Sequence, residues 1–243
     1  MGSLSGTAGI VTGAGAGIGR SIAVVAAREG ASVVAVDIKA EACEETASMI
    51  RESGGKVIVV QANVTDDDAV RSLVEQAVPE FGQLNWAVNN AAFGGAGPLM
   101  ADISQNNWDK TIKGTLTSVW LCMKHEIPQM IKNGGGNIVN IGSMVGVTGN
   151  PMQAAYAAAK GGVIALSKSA AAEYAPQGIR VNVINPAMIR TPGVEVFLSV
   201  APEMAERAIG AHALSRVGEP EEVAETAVFL CSDRSSFITG ECI

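Results

Sequence analysis

Tyr156 and Lys160, four residues apart, are the two side chains in this sequence best suited by type and spacing to acid–base chemistry. In a helix, residues four apart share one face, with Cβ atoms about 6 Å apart. A phenol and an ammonium then point the same way. A nearby positive charge favours phenolate and lowers the tyrosine pKa from its reference of about 10 towards neutrality. That would make Tyr156 a proton donor or acceptor at cellular pH. The same spacing also fits a core aromatic beside a solvated charge, so the surrounding chain has to decide.

The pair sits in Ala154 to Tyr174, a run rich in Ala and Gly that reads as a long helix, apolar on more than one face. Such a helix is buried on several sides or packs against a second subunit, which predicts an oligomer. Around it, apolar runs alternate with helical patterns. Strands are predicted over Ala8 to Thr12, Ser32 to Val36, Lys56 to Gln61, Leu84 to Asn89, Gly136 to Ile141 and Ile179 to Ile184. Helices are predicted over Ile18 to Arg28, Ala40 to Glu52, Asn106 to Ile131 and Glu221 to Cys231, with Asp66, Asp67 and Asp68 suited to another helix start. Continuous Val/Ile strands between helices imply an α/β fold, a parallel sheet covered on both faces in three αβα layers. No linker or composition break divides residues 1–243, which read as a single domain.

Composition narrows the function classes. The chain of 243 residues is 48% hydrophobic and 17% charged, enough for a sizeable core. A net charge of −7 argues against a nucleic-acid partner, which usually meets a basic face. No uncharged apolar run approaches about 18 residues, so no membrane span is expected, and the first residues carry no secretory signal pattern. Cys43, Cys122, Cys231 and Cys242 are scattered, and His125 and His212 have no carboxylate at ligand spacing. The reading is a reduced, cytoplasmic protein without a metal site.

The segment from Thr12 to Gly19 follows a strand and opens a helix. Glycines at Gly13, Gly17 and Gly19 permit a tight turn and close backbone approach, and free N–H groups at the helix start suit a pyrophosphate. Asp37 ends the next strand about 20 residues on, where a carboxylate accepts hydrogen bonds from both ribose hydroxyls and repels a 2′-phosphate. NAD is therefore expected over NADP, with Lys39 two residues later able to soften the preference.

Five signals in one order (the glycine loop, Asn89-Asn90-Ala91, Ser143, Tyr156-x-x-x-Lys160 and Asn185-Pro186 leading to Thr191) resemble the short-chain dehydrogenase/reductase family over essentially the whole chain. The resemblance implies a Rossmann-like doubly wound sheet and an NAD-dependent alcohol dehydrogenase or ketone reductase, a homo-oligomer (dimer or tetramer) acting on a small molecule. By similarity, Ser143 hydrogen-bonds the substrate oxygen, Tyr156 exchanges its proton, and Lys160 lowers the tyrosine pKa and holds the nicotinamide ribose. Gly13, Ala16, Gly17, Ile18 and Gly19 would carry the phosphates, Asn63 and Val64 lie along the adenine, Asn90 near the ribose, and Ile189 and Thr191 at the carboxamide.

Three departures from the family pattern stand out. The family places a fourth catalytic residue, an asparagine that holds a water linking the lysine to solvent, where this chain has Thr115. Either Thr115 with an extra water keeps that relay, or the relay is impaired. The first predicts a working enzyme and the second an NAD(H)-binding sensor or scaffold. Ala92 and Ala187 replace common glycines, so those sites should not need positive φ. After Phe237-Ile238-Thr239-Gly240 the family's last strand would be short or cut. Residues 192–214 should form a lid, and Phe93, Val145, Met152, Met188, Val194, Val196, Phe197, Leu198 and Met204 are candidate pocket walls. They suggest an uncharged, apolar or cyclic secondary alcohol or ketone.

Overall fold

A computed structural model describes residues 2–243. Six parallel strands run in the order β3-β2-β1-β4-β5-β6. They are β1 (Ala8–Thr12), β2 (Ser32–Asp37), β3 (Lys56–Gln61), β4 (Trp86–Asn89), β5 (Gly136–Ile141) and β6 (Ile179–Ile184). Successive side chains of a strand point to opposite faces, and the core divides accordingly. Val11, Val33, Ala35 and Val88 face one cluster; Ile10, Val34, Val36 and Ala87 face the other. The first cluster is completed by α1 (Gly17–Arg28), α2 (Ala40–Glu52) and the C-terminal helix over Pro220–Cys231. On the second face lie α3 (Asp67–Phe81), two segments of the predicted long helix, and the helix that carries Tyr156. Burial on both faces is why the strands read as unbroken apolar runs.

Element boundaries follow the sequence reading closely, with informative exceptions. Asp66 caps α3 by accepting from the Ala69 amide at 3.0 Å. The strand expected from Leu84 begins at Trp86, because the Asn85 side chain instead accepts from the Ala8 amide at 2.8 Å. The single helix expected over 106–131 is in fact three segments: α4 (Gln105–Ile112), a π-helical turn over Lys113–Thr117, and α5 (Ser118–Lys132). The wide turn has a local cause. The Ser118 amide bonds the Lys113 carbonyl, five residues back, while its hydroxyl donates to the Gly114 carbonyl at 3.0 Å.

Beyond β5 come α6 (Val145–Thr148), α7 (Ala154–Tyr174), α8 (Pro192–Val200), α9 (Pro202–Gly210) and α10 (Pro220–Cys231). Positive φ at non-glycine residues occurs at Met152 and Ser215, so Ala92 and Ala187 avoid it, as expected. The last residues lie along the outer edge of β6 with one parallel bridge, Val183 to Cys242. The Asn185 amide donates to the Ile243 carbonyl at 2.6 Å. Among the described residues no helix is long and apolar enough to cross a membrane, and no group of three or more His, Cys, Asp or Glu is placed to hold a metal.

Candidate active site

Strand order reverses between β1 and β4, and in open parallel sheets the crevice beyond such a reversal is where ligands bind. Here the two strand ends are tied together. The Thr12 hydroxyl accepts from the amides of Asn90 (3.0 Å) and Ala91 (3.1 Å), and the Asn90 side chain donates to the Thr12 carbonyl at 3.0 Å. The glycine loop between β1 and α1 has shape requirements that a side chain would violate. Gly13 and Gly17 have φ of +67° and +53°, and a Cβ at Gly19 would stand 2.1 Å from the Gly13 carbonyl oxygen. No side chain caps α1 and no acidic residue lies in its first turn, so its positive end is left for an external anion. The residues present fit a dinucleotide.

Asp37 takes part in holding this loop. Its carboxylate accepts from the Gly15 amide at 3.1 Å and from the Lys39 amide at 3.0 Å, and it lines the cleft. Two residues that no motif singled out complete the support: Arg20 donates to the Gly15 carbonyl, and the Thr46 hydroxyl to the Ala14 carbonyl at 2.7 Å. The Asn63 side-chain oxygen is engaged with the Thr65 amide (3.1 Å) and hydroxyl (2.9 Å).

On α7, Tyr156 and Lys160 share a face as the spacing requires, with the ammonium 5.7 Å from the ring centroid. Their electrostatics differ from the sequence expectation. Burial raises the Tyr156 pKa, with Ser143 pulling the other way, so the protein alone does not poise the phenol near neutrality. Lys160 lies close to the ring and is itself buried. It is 2% exposed, its Nζ donates to the Ile141 carbonyl at 2.5 Å, and burial lowers its own pKa to about 8. Ser143, at the end of β5, receives a bond at its hydroxyl from the Val145 amide (3.2 Å), while its own amide donates to the Asn185 side chain (3.2 Å).

Thr115 is fully buried, in the π-helical turn. Its hydroxyl accepts from the Phe93 amide at 3.1 Å and donates to the Phe93 carbonyl. Its proton is therefore given to Phe93 and not to Lys160.

A cleft of about 770 Å³ collects Gly13, Ala16, Gly17, Ile18, Asp37, Asn63, Val64, Asn90, Tyr156 and Thr191 in its walls. Gly19, Ser143, Lys160, Ile189 and Thr115 are not in that surface; Ile189 packs on the core and pairs with Gly218. Lys110 and Lys113 line it without having been anticipated. A second cavity of about 330 Å³ adjoins, bounded by Phe93, Ile103, Met152 and Ala155, with Tyr156 in both walls. Of the candidate pocket residues, Phe93 and Met152 line these cavities; Val145, Met188 and the α8–α9 residues do not.

Sequence reasoning also missed a buried polar chain beneath the site. Asn89 donates to Glu126 and to Asn140 (3.0 Å each), and Asn140 to the Ser167 hydroxyl (2.8 Å). Burial raises the Glu126 pKa to about 7, and the Asn89 carbonyl oxygen has no partner. The available signal was a glutamate at a position of the α5 apolar stripe, between Met123 and Met130.

Comparison with known proteins agrees with this geometry. A family model described as Enoyl-(Acyl carrier protein) reductase matches residues 13–243. Cyclohexanol dehydrogenase of Acinetobacter sp. (strain SE19) is 41% identical over 231 residues, covering 95% of this chain and 90% of that protein. A 2,5-dichloro-2,5-cyclohexadiene-1,4-diol dehydrogenase of Sphingobium indicum is 38% identical over 244 residues, covering 100% and 96%. Carveol dehydrogenase from Mycobacterium avium, solved in complex with NAD, superposes with a TM-score of 0.95 at 30% identity, covering 100% of this chain and 97% of that one. The protein is thus an oxidoreductase on a dinucleotide-binding fold. Within that class, it belongs to the short-chain dehydrogenase/reductase family.

Proposed function

We propose that the enzyme transfers a hydride between NAD and an uncharged, apolar, cyclic secondary alcohol or the corresponding ketone, with Tyr156 as the acid–base group. The observation that carries this is the position of the phenol, in the wall of both the long cleft and the smaller, mostly apolar cavity. The named ring alcohols of two relatives support the substrate class. The chemistry that NAD supplies when bound is acceptance or return of the hydride. The protein's share is to hold the alcohol oxygen between the Ser143 and Tyr156 hydroxyls and to exchange its proton at the tyrosine oxygen. Lys160 sets the field behind the ring. Gly13, Ala16, Gly17, Ile18 and Gly19 hold the phosphates. Asn63, Val64 and Asn90 follow the adenosine, and Ile189 and Thr191 the far end. Asp37 selects NAD over NADP by accepting the ribose hydroxyls and repelling a 2′-phosphate.

Residues 192–214 act as the lid in this reading. Thr191, Pro192 and Gly193 line the cleft, and Val196, Val200, Met204 and Leu214 are exposed apolar groups in want of a cover. Exposed Trp108 and Trp120 on α4 and α5 support a homo-oligomer, a dimer or tetramer.

The test follows NADH absorbance with NAD and a panel of ring alcohols, acyclic alcohols and acyl thioesters. Ring alcohols should be oxidised fastest, and Tyr156→Phe should reduce kcat by about 10³. Because burial raises the Tyr156 pKa, alcohol oxidation should quicken as pH rises and ketone reduction should slow. NADH binding with no turnover across the panel would sink the proposal in favour of a sensor.

A further inference from the structure

We propose that Thr115 is a positioning residue: it fixes Phe93 as the wall between the dinucleotide cleft and the smaller cavity, and that cavity takes the apolar, non-reacting part of the substrate. The inference rests on the ring-alcohol reading above and adds the device that sizes its pocket.

Both polar groups of the Phe93 backbone are held by one side chain, since the Thr115 hydroxyl accepts from its amide at 3.1 Å and donates to its carbonyl. Thr115 is fully buried, so water does not compete for either bond. The neighbouring residue makes the approach possible. A Cβ on Gly114 would lie 2.6 Å from the Phe93 Cβ, inside any normal contact. The wide turn and the glycine thus bring this helix against a loop that a regular, Cβ-bearing turn would hold away. Gly94 follows at φ +128°, and a side chain there would meet Tyr156 Cδ2 at 3.1 Å and Thr111 Cγ2 at 3.0 Å. The chain leaving Phe93 therefore lies against the ring of Tyr156. Among the described residues, Phe93, Gly94 and Tyr156 are the ones common to both cavities. Phe93 is 56% exposed, a large apolar ring turned to open space beside the phenol. An aromatic held there by two backbone bonds offers a fixed face to an apolar ring and closes the space to a poorly fitting chain.

The assignment separates Thr115 from proton transfer. A hydroxyl whose proton is given to the Phe93 carbonyl changes where the wall stands, and a displaced wall weakens substrate binding without altering when the tyrosine titrates.

The experiment uses Thr115→Val, near in shape and lacking both bonds. KM for cyclohexanol should rise about tenfold, by more than kcat falls, with the midpoint of the kcat pH profile unmoved. In the ligand-free protein, the Phe93 amide should exchange with deuterium faster. Thr115→Ser should restore both. A shifted pH midpoint with unchanged KM, or no change in KM, overturns the proposal. Should Thr115→Val not fold, Phe93→Ala takes its place: it should lose preference for cyclohexanol over 2-propanol, and a preserved preference overturns the proposal. Should the native enzyme oxidise no alcohol, calorimetric binding of cyclohexanone to the enzyme–NADH complex replaces KM. About tenfold weaker binding in Thr115→Val would then support the clamp although the hydride-transfer reading had failed. Equal binding in the two proteins, or no binding in either, would overturn the clamp.

Discussion

The loop after β1 contains almost no side chain, and what limits it is backbone shape and room, as with the positive φ of Gly13 and the Gly13 carbonyl that stands against Gly19. On the opposite face, the α5 and α7 helices limit change through charge. Lys160 and Glu126 are 2% and 1% exposed, and burial moves the first pKa down to about 8 and the second up to about 7. The first region is rigid because an added atom has no room, and the second is sensitive because an added charge has no solvent. A substitution that is harmless in one is costly in the other.

Gly19→Ala should have the largest effect. Its methyl would meet the Gly13 carbonyl at 2.1 Å, forcing about 3 kcal/mol of strain. NADH affinity, read by fluorescence titration, should fall about a hundredfold. Unchanged affinity would show that the loop yields, and the contrast with the charged face would collapse. Asp37→Ala comes next. It removes a carboxylate that both supports the loop and faces the cleft. The ratio of kcat/KM for NAD over NADP should drop about tenfold to a hundredfold. An unaltered ratio would mean that the loop backbone, and not this charge, sets the preference.

Glu126→Gln gives the sharpest test of the charged face. The folded pKa of Glu126 is raised from its ordinary 4.5 to about 7. Between those values the native state binds more protons than the unfolded one, so its contribution to stability is present below pH 4.5 and is lost as pH rises through 7. The substituted amide would stay neutral and could donate to the unpartnered Asn89 oxygen. In urea melts the variant should be the more stable protein at pH 8, by at most about 3 kcal/mol, and close to the native enzyme at pH 4.5. A destabilised variant at pH 8 would show that the ionised carboxylate is well solvated where it lies.

The same contrast explains what was legible in the sequence. Glycine spacing, the distance to Asp37 and the shared helical face of Tyr156 and Lys160 are local properties, so the sheet, its six strands and the cleft residues could be read in order. The direction of the Tyr156 shift could not, because it depends on how deeply the phenol is buried in the folded chain. The engagement of Thr115 with the Phe93 backbone, 22 residues away in the chain, could not be read either. His125, with no carboxylate at ligand spacing in the sequence, meets Asp67 at 2.7 Å across 58 residues. Each missed feature is a contact between elements far apart in the chain.

The pairing along β6 bears on how the molecule behaves in a crowd. A lone strand edge is a row of open donors and acceptors, a template on which another chain can add a strand. Here Gly240 donates to the Val181 carbonyl at 2.8 Å, Ile243 donates to the Val183 carbonyl at 2.9 Å, and Glu241 accepts from the Val183 amide at 2.8 Å. The Thr239 hydroxyl takes the Val181 amide at 3.1 Å. A few residues without a full strand thus occupy the outer backbone groups of β6, and that flank is guarded against edge-to-edge aggregation.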